Sequence, residues 1–128
     1  YPGKMRLAVA YDPLQDECFP AERGRGAHLN GEPIHVTDEA RLIHSVLVTG
    51  FPYDMEQKDN NLDHFVHLSR SVHSIRRLGS AVLDQVYVAT GRLDGYWEVG
   101  LSPWDIAAGT LIVEEAGGRV TRLNGEPE

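Results

Sequence analysis

Two carboxylates in the second half of the sequence have surroundings that suit a cation together with an anionic ligand. Asp105 follows Ser102-Pro103-Trp104 and stands immediately before a predicted helix, while Glu98 ends a predicted strand seven residues upstream. The small residues 107–109 leave little side-chain bulk at the start of that helix, so a ligand can approach the backbone closely. An aspartate at this position can equally be a plain N-terminal cap, and position alone favours that simpler interpretation.

A second candidate site lies at Gly79-Ser80-Ala81, where a predicted strand turns into a predicted helix. Free backbone N–H groups and the helix dipole at such a helix start bind an anion or a hydroxyl group. The alternative is purely structural, because Gly79 can make the turn while Ser80 caps the helix. A signal of three residues does not decide between these two interpretations.

Other residues that could carry chemistry do not form a pattern typical of a known site. Gly24-Arg25-Gly26 lacks the lysine of a phosphate-binding loop and the third glycine of a dinucleotide-binding turn. The single cysteine, Cys18, excludes an internal disulfide and a multi-cysteine zinc site. The histidines lack the spacing of a zinc protease, and a packing or solvated role is the better interpretation of each: His28, His35, His44, His64, His67 and His73.

The elements that must position the two carboxylates alternate between strands and helices. Three runs carry apolar side chains at helical spacing and predict helices at 61–72, 80–89 and 106–116. Four short runs predict strands at 45–49, 75–78, 93–99 and 119–123. Strands that alternate with single helices form a mostly parallel sheet with right-handed crossovers.

The first third of the chain predicts a different sheet. Its short apolar or alternating runs predict strands at 5–11, 17–21, 27–29 and 34–36. Asn30-Gly31 lies between the last two runs and is the strongest short hairpin signal in the chain. The sequence therefore predicts an α/β fold of the layered α+β kind, with an antiparallel meander followed by an alternating strand/helix mixed sheet.

Length and charge exclude several function classes. The chain has 128 residues, which fits one ordinary domain, and its 12 basic and 19 acidic residues give a net charge of −7. Binders of nucleic acid or of anionic membranes need clustered cations, so the acidic surplus argues against both. Phosphorylated small molecules stay possible if a metal ion supplies positive charge. The single cysteine and the lack of a membrane-spanning apolar run lead us to expect a cytoplasmic protein.

The motif Trp104-Asp105-Ile106-Ala107-Ala108-Gly109, followed by Glu115-Ala116-Gly117-Gly118, closely resembles the inositol monophosphatase family. Upstream, Gly79-Ser80-Ala81 and the run 89–98 (ATGRLDGYWE) resemble the same family. The meander segment 21–31 (AERGRGAHLNG) does so too. The likeness covers essentially the whole chain, in order and without large gaps.

The resemblance implies a magnesium-dependent, lithium-sensitive phosphomonoesterase with a layered αβαβα fold that works in the cytoplasm as a homodimer. Its substrate would be a small phosphate monoester, with no membrane and no direct nucleic-acid partner. In such enzymes two or more Mg²⁺ ions bind the phosphate and activate a water molecule for attack. By the same resemblance Asp105 is a metal ligand, Glu98 binds a substrate hydroxyl, and the polyol ring contacts Gly79, Ser80 and Ala81.

One departure from the family pattern lies near the start of the chain. Family members carry an Asp-Pro-(Ile/Leu)-Asp-Gly-Thr motif with further metal ligands ahead of this region, and Asp12-Pro13-Leu14-Gln15-Asp16 is only a look-alike. We therefore expect the chain to be roughly the second half of such an enzyme, with no catalytic residue of its own and no activity alone. The same resemblance assigns residues 1–44 to the strands of an N-terminal metal-site domain and 45–128 to an incomplete C-terminal α/β domain.

Two alternatives to an inositol monophosphatase stay open. The first is another phosphatase of the same superfamily, acting on fructose-1,6-bisphosphate, histidinol phosphate or a 3′-phosphoadenosine nucleotide. The second is a non-catalytic relative of the kind that binds the transcription or ribosome-assembly machinery, with the basic cluster Arg70, Arg76 and Arg77 as the surface that docks the partner. A dimer contact or a solvated face is the simpler interpretation of these arginines.

Overall fold

The antiparallel sheet predicted for the first third is present. The computed structural model describes residues 5–52, 56, 60–122 and 125. The sheet has the order β1-β2-β3-β4. Its strands are β1 (Leu7–Asp12), β2 (Glu17–Glu22), β3 (Gly26–Leu29) and β4 (Glu32–Pro33). The meander is therefore confirmed.

The hairpin at Asn30-Gly31 is also confirmed, and local backbone preferences explain it. Both residues have positive φ, 49° for Asn30 and 88° for Gly31, as a tight two-residue hairpin turn requires. The returning strand β4 lies at Glu32–Pro33, so the strand predicted at 34–36 is wrong in position. The N–H of Ile34 still bonds the carbonyl of Ala27 in β3, and the chain leaves the sheet only at Val36, whose N–H bonds the carbonyl of Ala116.

The second sheet is parallel, as the alternation of strands and helices predicts. It contains β5 (Val46–Thr49), β6 (Ser74–Arg76) and β7 (Gly95–Trp97), and its order is β6-β5-β7. Strand β5 pairs in parallel with both of its neighbours. The carboxyl ends of these strands therefore lie at one edge of the sheet.

Two helices lie between the sheets and fill the apolar core. Helix α2 (Ala81–Ala89) packs on α3 (Pro103–Glu115) and contacts both β1 and β7, while α3 contacts β1, β2 and β3. Many core side chains on the sheet are alanines, which allows α3 to approach the strands closely. The core members are Ala8, Ala10, Phe19, Ala21, Ala27, Ile34, Val86, Ala89, Leu111, Ile112, Val113 and Ala116.

Several predicted boundaries differ from those of the structure. Helix α1 (Leu62–Ser69) ends before residue 72, and α3 begins at Pro103 rather than at 106. Proline favours the first position of a helix because its missing N–H has no partner to lose there. The predicted strand 119–123 is reduced to a single bridge at Thr121, with residue 123 outside the described residues.

The division of the chain at residues 44 and 45 stays a prediction. No helix within the described ranges has the length and apolar character needed to cross a membrane.

Candidate functional site

The five residues singled out in the sequence lie at helix starts and strand ends. Gly79 is exposed, whereas Ser80, Ala81, Glu98 and Asp105 are partly buried. The carboxamide Nε2 of Gln85 donates to the carbonyl oxygen of Ala81 at 2.9 Å and to that of Asp105 at 3.0 Å. The starts of α2 and α3 are therefore joined through one side chain.

Glu98 follows β7 and is held from two sides. The hydroxyl of Tyr96 donates to its Oε1 at 2.8 Å. Its carboxylate also covers Gly50, where an added Cβ would collide with Oε1 and lie 2.9 Å from Cδ. A larger side chain at position 50 would therefore displace the Glu98 carboxylate from this place.

The pKa of Glu98 depends first on its burial and then on its polar and charged neighbours. Burial raises its pKa, and the negative charge of Asp105 raises it further. The hydrogen bond from Tyr96 and the positive charge of Arg77 oppose this rise in pKa without cancelling it. A cation placed between Glu98 and Asp105 would relieve the repulsion between them.

Asp105 is the third residue of α3 and is not its N-terminal cap. Ser102 takes the cap position, and its N–H donates to Asp105 Oδ2 at 2.9 Å. The prediction that Asp105 is the cap residue is therefore wrong. Its carboxylate nevertheless contributes to capping, because it accepts a hydrogen bond from a free N–H at the helix start.

The turn before α2 has the geometry of an ordinary helix start. The hydroxyl of Ser80 accepts a hydrogen bond from the N–H of Leu83 at 3.3 Å. Gly79 has a φ of 92°, a value that strongly favours glycine. The structural interpretation of Gly79 and Ser80 is thus correct, and it leaves the remaining free N–H groups of the first turn available to a ligand.

Two buried polar residues of α2 did not stand out in the sequence, although a signal was present. Asp84 and Gln85 interrupt an otherwise apolar helix, AVLDQVYVA. Asp84 is 1% exposed, and its Oδ1 has no hydrogen-bond partner within the described part of the chain. Burial and the negative charge of Glu98 raise the pKa of Asp84 to about 7. Polar side chains inside an apolar helix must find partners or bear a cost, which is the signal that could have identified them.

Asn61, which the sequence also did not reveal, ties the ends of two strands together. It is buried at the start of α1, and its Nδ2 donates to Thr49 Oγ1 at 2.9 Å and to the carbonyl of Gly50 at 2.8 Å. The indole N–H of Trp97 donates to Asn61 Oδ1 at 2.6 Å. These bonds fix the carboxyl ends of β5 and β7 next to Glu98.

The basic cluster of the sequence is exposed, but its members differ. Arg70, Arg76 and Arg77 all lie on the surface. The guanidinium of Arg77 stacks over the ring of Phe51 at 4.8 Å, and its charge acts on Glu98. Arg77 therefore faces the candidate site, whereas Arg70 and Arg76 do not have a contact of this kind within the described residues.

An open cavity of about 570 Å³ adjoins the site between β7 and α3. Glu98, Gln85 and Thr110 are among its lining residues, whereas Asp105 and the turn before α2 lie outside it. Of the five candidate residues, only Glu98 therefore lines the cavity.

The donor set present fits a magnesium ion in part. Mg²⁺ prefers carboxylate oxygens and is commonly held by one or two of them together with water and substrate phosphate. Asp105 and Glu98 supply such oxygens, and their mutual repulsion favours a cation. Among the described residues, however, no group of three or more potential metal ligands converges on one point. The chain thus offers part of a metal site.

Comparison with known proteins gives consistent matches. A family model described as "Inositol monophosphatase family" matches residues 1–128. The chain is 48% identical to "Nus factor SuhB" of Pseudomonas aeruginosa, over 100% of the chain and 48% of that protein. It is also 48% identical to "Inositol-1-monophosphatase" of Synechocystis sp., over 94% of the chain and 42% of that protein.

A solved structure agrees in fold as well. The inositol monophosphatase from Anabaena (Nostoc) superposes with a TM-score of 0.93 and 50% sequence identity, covering 96% of this chain and 49% of that one. The chain thus spans about half the length of the curated relatives it matches.

Proposed function

The chain belongs to the inositol monophosphatase family, and from this premise we propose that its site helps to hydrolyse a polyol phosphate monoester with the aid of Mg²⁺. Family membership supports a phosphatase of this superfamily; the substrate, the metal and a cytoplasmic homodimer are part of the proposal. The observation that carries it is a pair of partly buried carboxylates that are each held by one hydrogen bond, Glu98 by the hydroxyl of Tyr96 and Asp105 by the N–H of Ser102.

Each residue of the site has a role that its surroundings favour. The exposed turn at Gly79 and the first residues of α2 present N–H groups to a hydroxyl or phosphate oxygen of the substrate. Glu98, fixed by Tyr96, accepts a hydrogen bond from a substrate hydroxyl. The two groups together bind the polyol and set its orientation, which is the first requirement for a selective hydrolase.

Asp105 would hold the metal ion, with its carboxylate kept in place by the N–H of Ser102. When bound, Mg²⁺ polarises the phosphoryl group and lowers the pKa of a coordinated water molecule. The remaining ligands would come from other parts of the protein, because the described residues supply only part of a set. We therefore propose that the 128-residue chain alone is inactive.

The test is Asp105→Asn in the intact gene product that carries this sequence, assayed with inositol-1-phosphate over a range of Mg²⁺ concentrations. Loss of the ligand charge is expected to lower kcat/KM by at least about 100-fold, equivalent to about 2.7 kcal/mol. Asp63→Asn, at an exposed aspartate on α1, is the matched control and should leave turnover unchanged. Undiminished turnover in Asp105→Asn would reject the metal-ligand role.

The substrate is resolved by initial rates on a panel of esters. Inositol-1-phosphate, fructose-1,6-bisphosphate, histidinol phosphate and a 3′-phosphoadenosine nucleotide cover the alternatives within the superfamily. The residues expected to face the substrate here are an exposed glycine turn and one carboxylate, which suits a ring with several hydroxyl groups. We therefore expect inositol-1-phosphate to give the highest kcat/KM of the four.

A second candidate function is binding to a partner protein. It is favoured by the name of the Pseudomonas aeruginosa relative, "Nus factor SuhB", and by the exposure of Arg70 and Arg76. Asp105→Asn separates the two functions, because a partner-binding role would survive the loss of turnover. Binding that disappears together with turnover would show that both depend on the same site.

A further inference from the structure

Gln85 is an unusual residue for its position, because a carboxamide occupies a place in the helix–helix contact where an apolar side chain would pack. It is 6% exposed, and its Nε2 donates to one carbonyl in each of two helices, Ala81 of α2 and Asp105 of α3. Both acceptors belong to residues of the candidate site. A buried side chain with two such bonds has little freedom to move.

Gly109 leaves the space that this side chain occupies. An added Cβ at Gly109 would collide with Gln85 Oε1, would lie 2.5 Å from its Cδ and 2.8 Å from its Cβ. Gly109 is buried and has an ordinary helical backbone, so the requirement for glycine comes from Gln85 and not from φ. The contact with Gln85 of α2 therefore explains why a glycine follows Asp105 in the first turns of α3.

We infer that Gln85 is a positioning residue that fixes the start of α3, and with it the carboxylate of Asp105, relative to the substrate-binding turn of α2. The inference rests on the proposed function for its consequence in catalysis. Its basis is separate, since the two hydrogen bonds and the close contact with Gly109 are properties of the fold. Without the carboxamide the starts of α2 and α3 can shift relative to one another. The distance between the metal ligand Asp105 and the substrate-binding turn before α2 is then no longer fixed.

The first experiment replaces Gln85 by Met in the intact gene product. Methionine keeps the length of the side chain and removes both donors. We expect the Mg²⁺ concentration for half-maximal rate to rise about 10-fold, and the Mg²⁺ dissociation constant measured by calorimetry to rise by the same factor. The matched control is Gln15→Met, because the carboxamide of Gln15 makes its bond to Tyr87 on the surface.

The second experiment tests the contact with Gly109 through a double-mutant cycle. Gly109→Ala should displace the carboxamide and raise the Mg²⁺ constant about as much as Gln85→Met does. In a Gln85→Gly background, which also removes the Cβ that would lie 2.8 Å from the added methyl group, Gly109→Ala should have no further effect. Equal effects of Gly109→Ala in both backgrounds would overturn the inference.

Thermal unfolding separates positioning from general loss of structure. Each variant is assayed at a temperature well below its own unfolding midpoint, and Gln85→Leu, which lacks the donors and adds no charge, replaces Gln85→Met if that variant does not fold. A Mg²⁺ dissociation constant within twofold of wild type in the folded variant would overturn the inference. An equal rise of that constant in Gln15→Met would do so too.

The wild type distinguishes failure of this inference from failure of the proposed function. If the wild type releases no phosphate, the proposed function fails, but calorimetry with Mg²⁺ alone still tests the role of Gln85. If the wild type binds no Mg²⁺, both the proposed function and the inference fail.

Discussion

Leu111 and Asp84 are equally buried, each with 1% of its surface exposed, yet they lie in regions of opposite character. Leu111 belongs to the apolar core between the antiparallel sheet and the helices. Asp84 lies in α2 close enough to Glu98 for their charges to interact, and its Oδ1 has no hydrogen-bond partner among the residues described. Burial stabilises the first region and costs free energy in the second.

The contrast shows that one fold uses burial for two purposes. In the core, burial removes apolar surface from water. At the polar end, burial brings three carboxylates, Asp84, Glu98 and Asp105, near one another and raises the pKa of two of them. A protein retains such a cost where the arrangement serves binding or catalysis. Removal of a bulky side chain from the apolar core should therefore lower the free energy of unfolding. Replacement of a buried carboxylate at the polar end by a neutral side chain of the same shape should raise it.

The largest effect is expected from Leu111→Ala. Removing a fully buried leucine leaves a cavity that the packed helices and sheet cannot fill, so the free energy of unfolding should fall by about 3 kcal/mol. Urea unfolding should show a lower midpoint with an unchanged slope. Trp104→Ala on the same helix is the control: Trp104 is 78% exposed, and the loss there should be below about 0.5 kcal/mol. Equal losses at the two positions would contradict the core described here.

The opposite sign is expected from Asp84→Asn. The pKa of Asp84 is raised from its ordinary value of 3.8 to about 7, so the folded state binds this proton more tightly than the unfolded state. Wild-type stability should therefore fall as the pH rises from about 4 to about 7. At pH 8 the asparagine variant should be more stable than wild type by about 2 kcal/mol, because each pKa unit is worth about 1.36 kcal/mol and the buried amide keeps part of the cost.

The measurement is urea unfolding of both proteins at pH 5 and pH 8, with Asp63→Asn as the exposed control. The charge of Glu98 acts on Asp84, and the charge of Asp105 acts on Glu98. The advantage of Asp84→Asn over wild type should grow between the two pH values, whereas the control should show no such growth. An advantage that is the same at both pH values would mean that Asp84 is ionised or paired in the folded state.

Local signals were sufficient to predict most of the fold. Asn30-Gly31 predicted its hairpin because positive φ at two successive residues is a property of those residues alone. The parallel sheet followed from the alternation of strands and helices. The start of α3 was missed because Pro103 and the exposed Trp104 do not continue the apolar pattern. The strand predicted at 34–36 is not formed, because the N–H of Val36 bonds the carbonyl of Ala116, which is distant in the sequence.

The candidate site was less accessible to sequence reasoning. Resemblance to a family drew attention to Glu98 and Asp105, but spacing alone left Asp105 as a helix cap. Nothing local shows that Gln85 crosses to α3 or that Gly109 is small on its account. Such contacts depend on the mutual placement of two helices, which a single sequence does not encode in a recognisable pattern.

The smallest effect, and the finest test of the contrast, is expected from Thr110→Val. The hydroxyl of Thr110 is buried with no hydrogen-bond partner in the described part of the chain. Valine keeps the β-branched shape and removes this desolvated group, so the free energy of unfolding should rise by about 1 kcal/mol. At Thr49, whose hydroxyl donates to the Trp97 carbonyl at 2.7 Å and accepts from Asn61, the same change should cost about 2 kcal/mol. Equal losses of stability in the two valine variants would mean that the Thr110 hydroxyl has a hydrogen-bond partner. The unpaired buried polar groups of the described residues would then include Asp84 of α2 but none in α3.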